Sequence, residues 1–382
     1  MQIPLFESES SATNLKVKHV KSKSNGTKER VSRYEGLKEK LDTDQLFNGN
    51  WVELDTLTPI KLTPKYNFFD LFSGAGGMSV GFRNTGLNKI ASVEIDKDAS
   101  ATIRDNFPDS FHFEKPIEQI TLEEIEAVAQ DKKIHVVCGG PPCQGFSVAG
   151  LRNPHDPRNQ LFKEYIRIVQ HLQPDFIVIE NVPGILTMQN GAVYQEILRQ
   201  LADIGYPNTS VRILEAAQFG VPQLRARAVF IGNRLGLKNP YPKPFLTKKN
   251  YETISESIED LKKLPFDAAF NHHGTTHSAE MEQRLAQIPA GGSLYDKFRD
   301  AWKRQYRDAP SMTVKENHGG VHMHYELNRV LTAREMARLQ TFPDDYIFSG
   351  TFKRAYWQIG NAVPCFLAEH IALGIKIALN AL

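Results

Sequence analysis

Three cysteines in 382 residues, Cys138, Cys143 and Cys365, are too few for a disulfide framework and show no paired metal-ligand spacing. No metal site is expected, and the thiols fit a reducing cytoplasm. Excess charge is also scarce. The formal net charge is +2, so any nucleic-acid surface must come from local clustering. No long apolar run stands behind the polar N-terminus, so no signal peptide and no membrane span are expected. There is no internal repeat. The dinucleotide fingerprint G-x-G-x-x-G lacks its third glycine, because Ser79 stands in its place.

What is present is enough chain for a sizeable core and two domains. Residues 1–66 read as an extension. Its piece Ser11 to Tyr34 carries Lys16, Lys18, Lys21, Lys23, Lys28, Arg30 and Arg33 against Glu29 alone. That composition is too polar to pack by itself, so a solvated arm is expected, with phosphate contact as the sharper alternative. Asn67 to Phe72 reads as a buried strand, followed by Ser73-Gly74-Ala75-Gly76-Gly77 and a helix from Met78. A strand, glycine turn and helix in that order suit a nucleotide-like cofactor, whose polar atoms can meet backbone N–H groups. Ala91 to Asp96 reads as a second strand ending in acids. Glu94 lies 20 residues past Gly74, where an acid can take ribose hydroxyls. Asp96 suits a helix N-cap.

His135 to Cys138 leads into Gly139-Gly140-Pro141-Pro142-Cys143-Gln144-Gly145, where glycine and proline force an irregular loop. Cys138, inside the apolar run, reads as a core thiol. Cys143, on rigid backbone beyond the strand end, reads as a presented nucleophile. Phe176 to Glu180 is a further all-apolar strand, closed by Asn181-Val182-Pro183-Gly184. Continuous apolar strands alternating with helices imply a parallel sheet covered on both faces, with ligands beyond the strand carboxyl ends. Right-handed crossovers then place Cys143 and Glu180 on one rim. Val211 to Ala216 and Ala228 to Gly232 read as two strands around a turn. Alternation would put Gln223, Arg225 and Arg227 on one face, suited to phosphate or base edges or to a solvated basic edge. From Arg234 the pattern breaks. The run to Tyr251 holds five basic residues and no acid, interleaved with Tyr241, Phe245 and Tyr251, which fits either nucleic acid or a plain surface. Thr332-Ala333-Arg334-Glu335 is a capping box opening a helix, as is Thr121-Leu122-Glu123-Glu124.

Together these residues resemble the DNA (cytosine-5) methyltransferases of bacterial restriction-modification type. The resemblance rests on Asp70 to Gly77, Glu94-Ile95-Asp96, Gly140 to Ser147 and Glu180-Asn181-Val182. It continues through Gln223-x-Arg225-x-Arg227, Arg329 to Gln340 and Gly360 to Pro364, in the family's order. It implies an α/β, Rossmann-like S-adenosylmethionine-dependent methyltransferase fold with a smaller irregular target-recognition domain. The expected layout is a catalytic domain over 67–233, target recognition over 234–325 and a return to the catalytic domain over 326–382. The cofactor S-adenosyl-L-methionine would be lined by Phe72, Gly74, Ala75, Gly77, Glu94, Ile95, Ile117, Pro142, Leu161, Asn361 and Ala362. Where the family commonly has Asp-Ile at the adenine, this chain has Pro116-Ile117.

The implied chemistry is methyl transfer to carbon 5 of a flipped cytosine in double-stranded DNA. Cys143 would add to carbon 6, Glu180 would hold N3 and the exocyclic amine, and Arg227 would bond the base carbonyl, supported by Arg225 and Gln223. A monomer acting in the bacterial cytoplasm is expected, with a cognate restriction endonuclease as a companion and no membrane partner. Three rival readings are a nicotinamide oxidoreductase, a tRNA-cytosine methyltransferase of the same fold, and a non-catalytic DNA-binding protein.

Overall fold

The computed structural model describes residues 50–58, 66–142, 160–295, 297, 301–316 and 322–382. The basic arm Ser11 to Tyr34, and Cys143 with the loop through Arg158, lie outside the described residues.

Strand β1 (Trp51–Leu54) precedes a seven-stranded sheet built from β2 (Asn67–Leu71), β3 (Asn88–Val93), β4 (Phe111–Phe113), β5 (Val136–Gly139), β6 (Phe176–Asn181), β7 (Ser210–Glu215) and β8 (Ala226–Asn233). The strand order is β4-β3-β2-β5-β6-β8-β7. The pairs from β4 through β6 are parallel, whereas β8 runs antiparallel to both β6 and β7. The sheet is therefore mixed. The wholly parallel expectation fails at β8 because only a ten-residue turn separates it from β7, too short for a crossover.

Alternation within each apolar strand feeds two layers. Phe69, Leu71, Val137, Ile177 and Ile179 pack on one face against α3 (Leu122–Ala129), α4 (Gln160–Leu172) and α5 (Ala192–Asp203). Phe68, Val136, Cys138, Phe176 and Val178 pack on the other, against α1 (Gly77–Asn84) and α10 (Cys365–Asn380). Each fully buried side chain of this kind contributes roughly 1.5–3 kcal/mol, which explains strands with no polar face. Helix α2 (Lys97–Asn106) starts at Asp96, whose side chain accepts from the Ala99 N–H at 3.0 Å. The expected capping boxes at Thr121 and Thr332 are both formed.

The C-terminal segment packs residues between 254 and 314 against the glycine-turn helices. A third cluster joins Ala75, Val80, Ile103 and Phe107 to Ile254 and Ile258 of α6 (Ile254–Ile258) and to Val314. It also takes in residues of α8 (Ala333–Leu339) and α9 (Phe352–Asn361). A separate small core is formed by Leu285 of α7 (Ala279–Ala286) with Ile288 and Met323. Two boundaries differ from expectation. Trp51–Leu54, placed in the extension, pairs in parallel with β9 (Asn239–Pro242). Tyr241, placed in the basic-aromatic block, is fully buried and donates to the Ser210 and Val229 carbonyls. It therefore offers no face to a base. The stretch Phe352–Asn380 is apolar enough to cross a membrane by composition, but it is broken after Asn361, and 67% of its apolar window is buried within the fold.

Candidate active site

At the end of β2 the backbone turns sharply. Phe72 takes a φ of 58° and Gly74 a φ of 52°. The left-handed conformation is costly for a side chain such as phenylalanine, and such strain persists where the surroundings fix it. The turn brings the Gly74 N–H within 2.8 Å of Glu94 Oε2. Glu94 Oε1 accepts from the Ile95 and Asp96 N–H groups, each at 2.9 Å. Burial pushes this carboxyl up from its usual range, and the three backbone donors counter that. The acid is thus fixed in place at the tip of β3.

A cavity of about 810 Å³ opens above this turn, within the range of small-molecule sites. Phe72, Gly74, Glu94, Ile95, Ile117, Pro142, Leu161, Asn361 and Ala362, all expected at the cofactor, line it. Ile95 is 64% exposed at its mouth, while Ile117 is buried in its wall. Two expected residues do not line it. Ala75 is buried, and its carbonyl accepts from the Tyr346 hydroxyl at 2.6 Å. A Cβ on Gly77 would lie 2.1 Å from the Val363 carbonyl oxygen, so this glycine permits close packing of the turn against Val363. Asp70, Lys115, Glu118 and Trp357 also line the cavity, and sequence reading missed them. Burial raises the Asp70 carboxyl to about 6, despite a 2.5 Å bond from the Ser79 hydroxyl and the charge of Lys89. The Lys115 ammonium is held by Glu124 at 2.6 Å. Glu114, two residues before Pro116, is engaged by Arg104.

Glu180 lies on the same cavity wall. The parallel register of β5 and β6 sets Gly139 beside Ile179, so the chain leading to Cys143 leaves the sheet level with Glu180. A Cβ on Gly140 would stand 3.3 Å from Glu180 Oε2. The other carboxylate oxygen accepts from Arg227 Nε at 2.6 Å, and both side chains are close to nine-tenths buried. Asn181 explains how the loop base is held. Its Nδ2 donates to the Pro141 carbonyl at 2.9 Å, and its Oδ1 accepts from the Val182 N–H. The side chain after the acid thus fixes the backbone two residues before Cys143.

Gln223 and Arg225 correct the one-face reading. Both precede β8, and both are buried. Arg225 donates to the Val314, Gly360 and Ala362 carbonyls at 2.8–3.0 Å. Burial pushes its guanidinium well below the ordinary value. Gln223 donates to the Leu339 carbonyl and to Gln340 Oε1, and accepts from the Val314 N–H. Neither presents donors to a base or phosphate. They fasten the strand carrying Arg227 to Val314, to Leu339 and Gln340, and to the Gly360–Ala362 wall. Replacing Arg225 with alanine removes the guanidinium from the Val314 and Gly360 carbonyls and leaves the Ala362 carbonyl with Gln340 Nε2 alone, and the expected cost is about 3–5 kcal/mol. Denaturant unfolding would read this as an earlier midpoint.

A glycine turn facing a fixed acid, at the carboxyl ends of parallel strands, defines an α/β enzyme that binds a nucleotide-like cofactor. A family model described as C-5 cytosine-specific DNA methylase matches residues 66–376, and the chain belongs to that family. It is 40% identical over 320 residues to the Type II methyltransferase M1.HphI of Haemophilus parahaemolyticus, covering 80% of this chain and 85% of that one. It is 33% identical over 373 residues to M.DdeI of Desulfomicrobium norvegicum, covering 80% and 87%. Among solved structures, a prophage-encoded DNA modification methyltransferase from E. coli superposes with a TM-score of 0.66 at 29% identity, covering 83% of this chain and all of that one. The S. pombe Dnmt2 methyltransferase shares the fold, with a TM-score of 0.56 at 20% identity, covering 83% of this chain and 100% of that one. The protein is a Rossmann-like methyltransferase that moves a methyl group from S-adenosylmethionine to carbon 5 of cytosine in DNA.

Proposed function

We propose that the cavity beside the glycine turn holds S-adenosylmethionine, and that Cys143, Glu180 and Arg227 act on a cytosine flipped out of double-stranded DNA. The observation that carries this reading is the shared wall. Glu180 and the glycine turn line one cavity, and Asn181 ties the base of the Cys143 loop beside them.

The cofactor supplies an electrophilic methyl on a sulfonium sulfur. Carbon 5 of cytosine is too poor a nucleophile to take it unaided. The Cys143 thiolate adds to carbon 6, the carbon 5–carbon 6 π bond shifts electron density toward N3, and Glu180 delivers or shares a proton there. Arg227 holds the base carbonyl and keeps Glu180 oriented. Carbon 5 then takes the methyl as the sulfonium S–CH3 bond breaks, its electron pair staying on sulfur to give the neutral thioether. The carbon 5 proton is removed to a base, the double bond reforms and the Cys143 sulfur departs. Gln223 and Arg225 position the Arg227 strand without touching substrate. Phe72, Gly74, Glu94 and Ile95 hold the adenosyl group, with Glu94 accepting from ribose hydroxyls. Ile117, Pro142, Leu161, Asn361 and Ala362 close the remaining walls.

The target-recognition segment 234–325 reads the DNA sequence, and base flipping brings the target to the rim. The enzyme works as a monomer in the bacterial cytoplasm and protects sites cut by a cognate endonuclease. The test is transfer of tritiated methyl to unmethylated genomic DNA, with tRNA in parallel. Label in DNA as 5-methylcytosine is expected, and label confined to tRNA would move the chemistry to another substrate.

A further inference from the structure

Trp357 lines the cofactor cavity but belongs to none of the motifs that marked the site in the sequence. It sits on α9, one turn before Asn361, and i, i+4 neighbours share a helix face. Arg354 stacks its guanidinium 4.5 Å from the indole ring. That arginine is itself held by Asp96 and by Asp98, the latter at 2.7 Å. Those acids stand at the start of α2, directly after Ile95. The two ion pairs therefore draw the indole toward the Glu94–Ile95 corner and fix it there. Trp357 is partly exposed, so its surface is not consumed by the core.

We infer that Trp357 forms an aromatic wall for the adenosyl half of the cofactor, opposite Ile95. The inference rests on assigning the cavity to S-adenosylmethionine. Glu94, the fixed hydrogen-bond acceptor of this corner, suits a ribose, and Ile95 and Ile117 suit a flat base. An indole beside them supplies stacking area, with one face backed by Arg354. Stacking of a base on an aromatic ring makes the loss on truncation on the order of 10-fold in affinity. The adenosyl group is common to the methyl donor and to its demethylated thioether product, so both ligands should lose equally.

Calorimetry on the full chain tests this. Trp357→Ala should weaken S-adenosylmethionine and S-adenosylhomocysteine alike by about 10-fold, with Trp357→Phe restoring most of the loss. In a Trp51→Phe, Trp302→Phe background, Trp357 is the sole indole. Adenosine should then quench its fluorescence, and methionine should not. Unchanged affinities, or quenching by methionine alone, overturn the inference. Loss for the sulfonium ligand alone also overturns it, placing the indole at the methyl. Glu94→Gln separates the two levels. If that variant weakens the cofactor while Trp357→Ala does not, the cavity assignment stands and the indole wall falls. If neither does, the cavity assignment falls as well.

Discussion

Replacing Cys143 with alanine is expected to abolish methyl transfer, lowering turnover by on the order of 10⁴-fold or more. The size follows from the chemistry. Without addition at carbon 6 the aromatic ring offers no electron pair at carbon 5, so no weaker version of the same route remains. Serine should be nearly as poor, because its hydroxyl stays protonated near neutral pH, whereas a thiol ionises within reach of it. Neither of the other cysteines can substitute. Cys138 is fully buried on β5 with its thiol on the Phe69 carbonyl at 3.4 Å, and burial pushes it far above the ordinary thiol range. Cys365 is equally enclosed at the start of α10. A duplex with 5-fluorocytosine at the target gives a readout independent of turnover. Fluorine cannot leave carbon 5 as a proton does, so the wild-type enzyme should stay covalently attached in denaturing electrophoresis. The Cys143→Ala chain should run free. Attachment in that variant would assign the nucleophile elsewhere.

Much of this site was legible in the sequence because its residues sit at the ends of strands that have no polar face. A run such as Phe176 to Ile179 can only be a central strand, so the acid following it had to stand on the rim. Glu94 was placed by the same logic, and nine of the expected cofactor residues do line one cavity. What the sequence could not display was direction off the regular elements. Gln223 and Arg225 alternate like strand residues but precede β8, and their side chains turn inward to carbonyls more than 80 residues away. Gly77 and Ala75 look like part of a cofactor-binding turn, yet the structure packs them against Val363 and Tyr346. Trp357 was invisible for the opposite reason, and Asp70, although it opens the first matched stretch, was not singled out for the cavity. Nothing local marks a tryptophan inside an amphipathic helix or an acid inside a strand as facing a cavity. The helix ends, by contrast, were readable from capping boxes, because that signal is local by construction.

Changing Glu180 to glutamine is the more discriminating substitution, because it keeps shape and removes charge and proton together. Turnover should fall by roughly 10²–10⁴-fold, the usual contribution of a positioned acid–base group. Cofactor affinity should hold, since the glycine turn and Glu94 are untouched. The structure adds a second consequence. Glu180 accepts from Arg227 at 2.6 Å in a nearly enclosed setting, so the glutamine variant leaves that guanidinium facing a neutral amide. The lost pairing should loosen Arg227, and Arg227→Ala should therefore not add its full penalty on top of Glu180→Gln. A double-mutant cycle on single-turnover rates measures this. Strong non-additivity means that the two side chains act as one unit on the base. Independent, additive losses would mean that Arg227 engages the target alone and that the ion pair is only architecture.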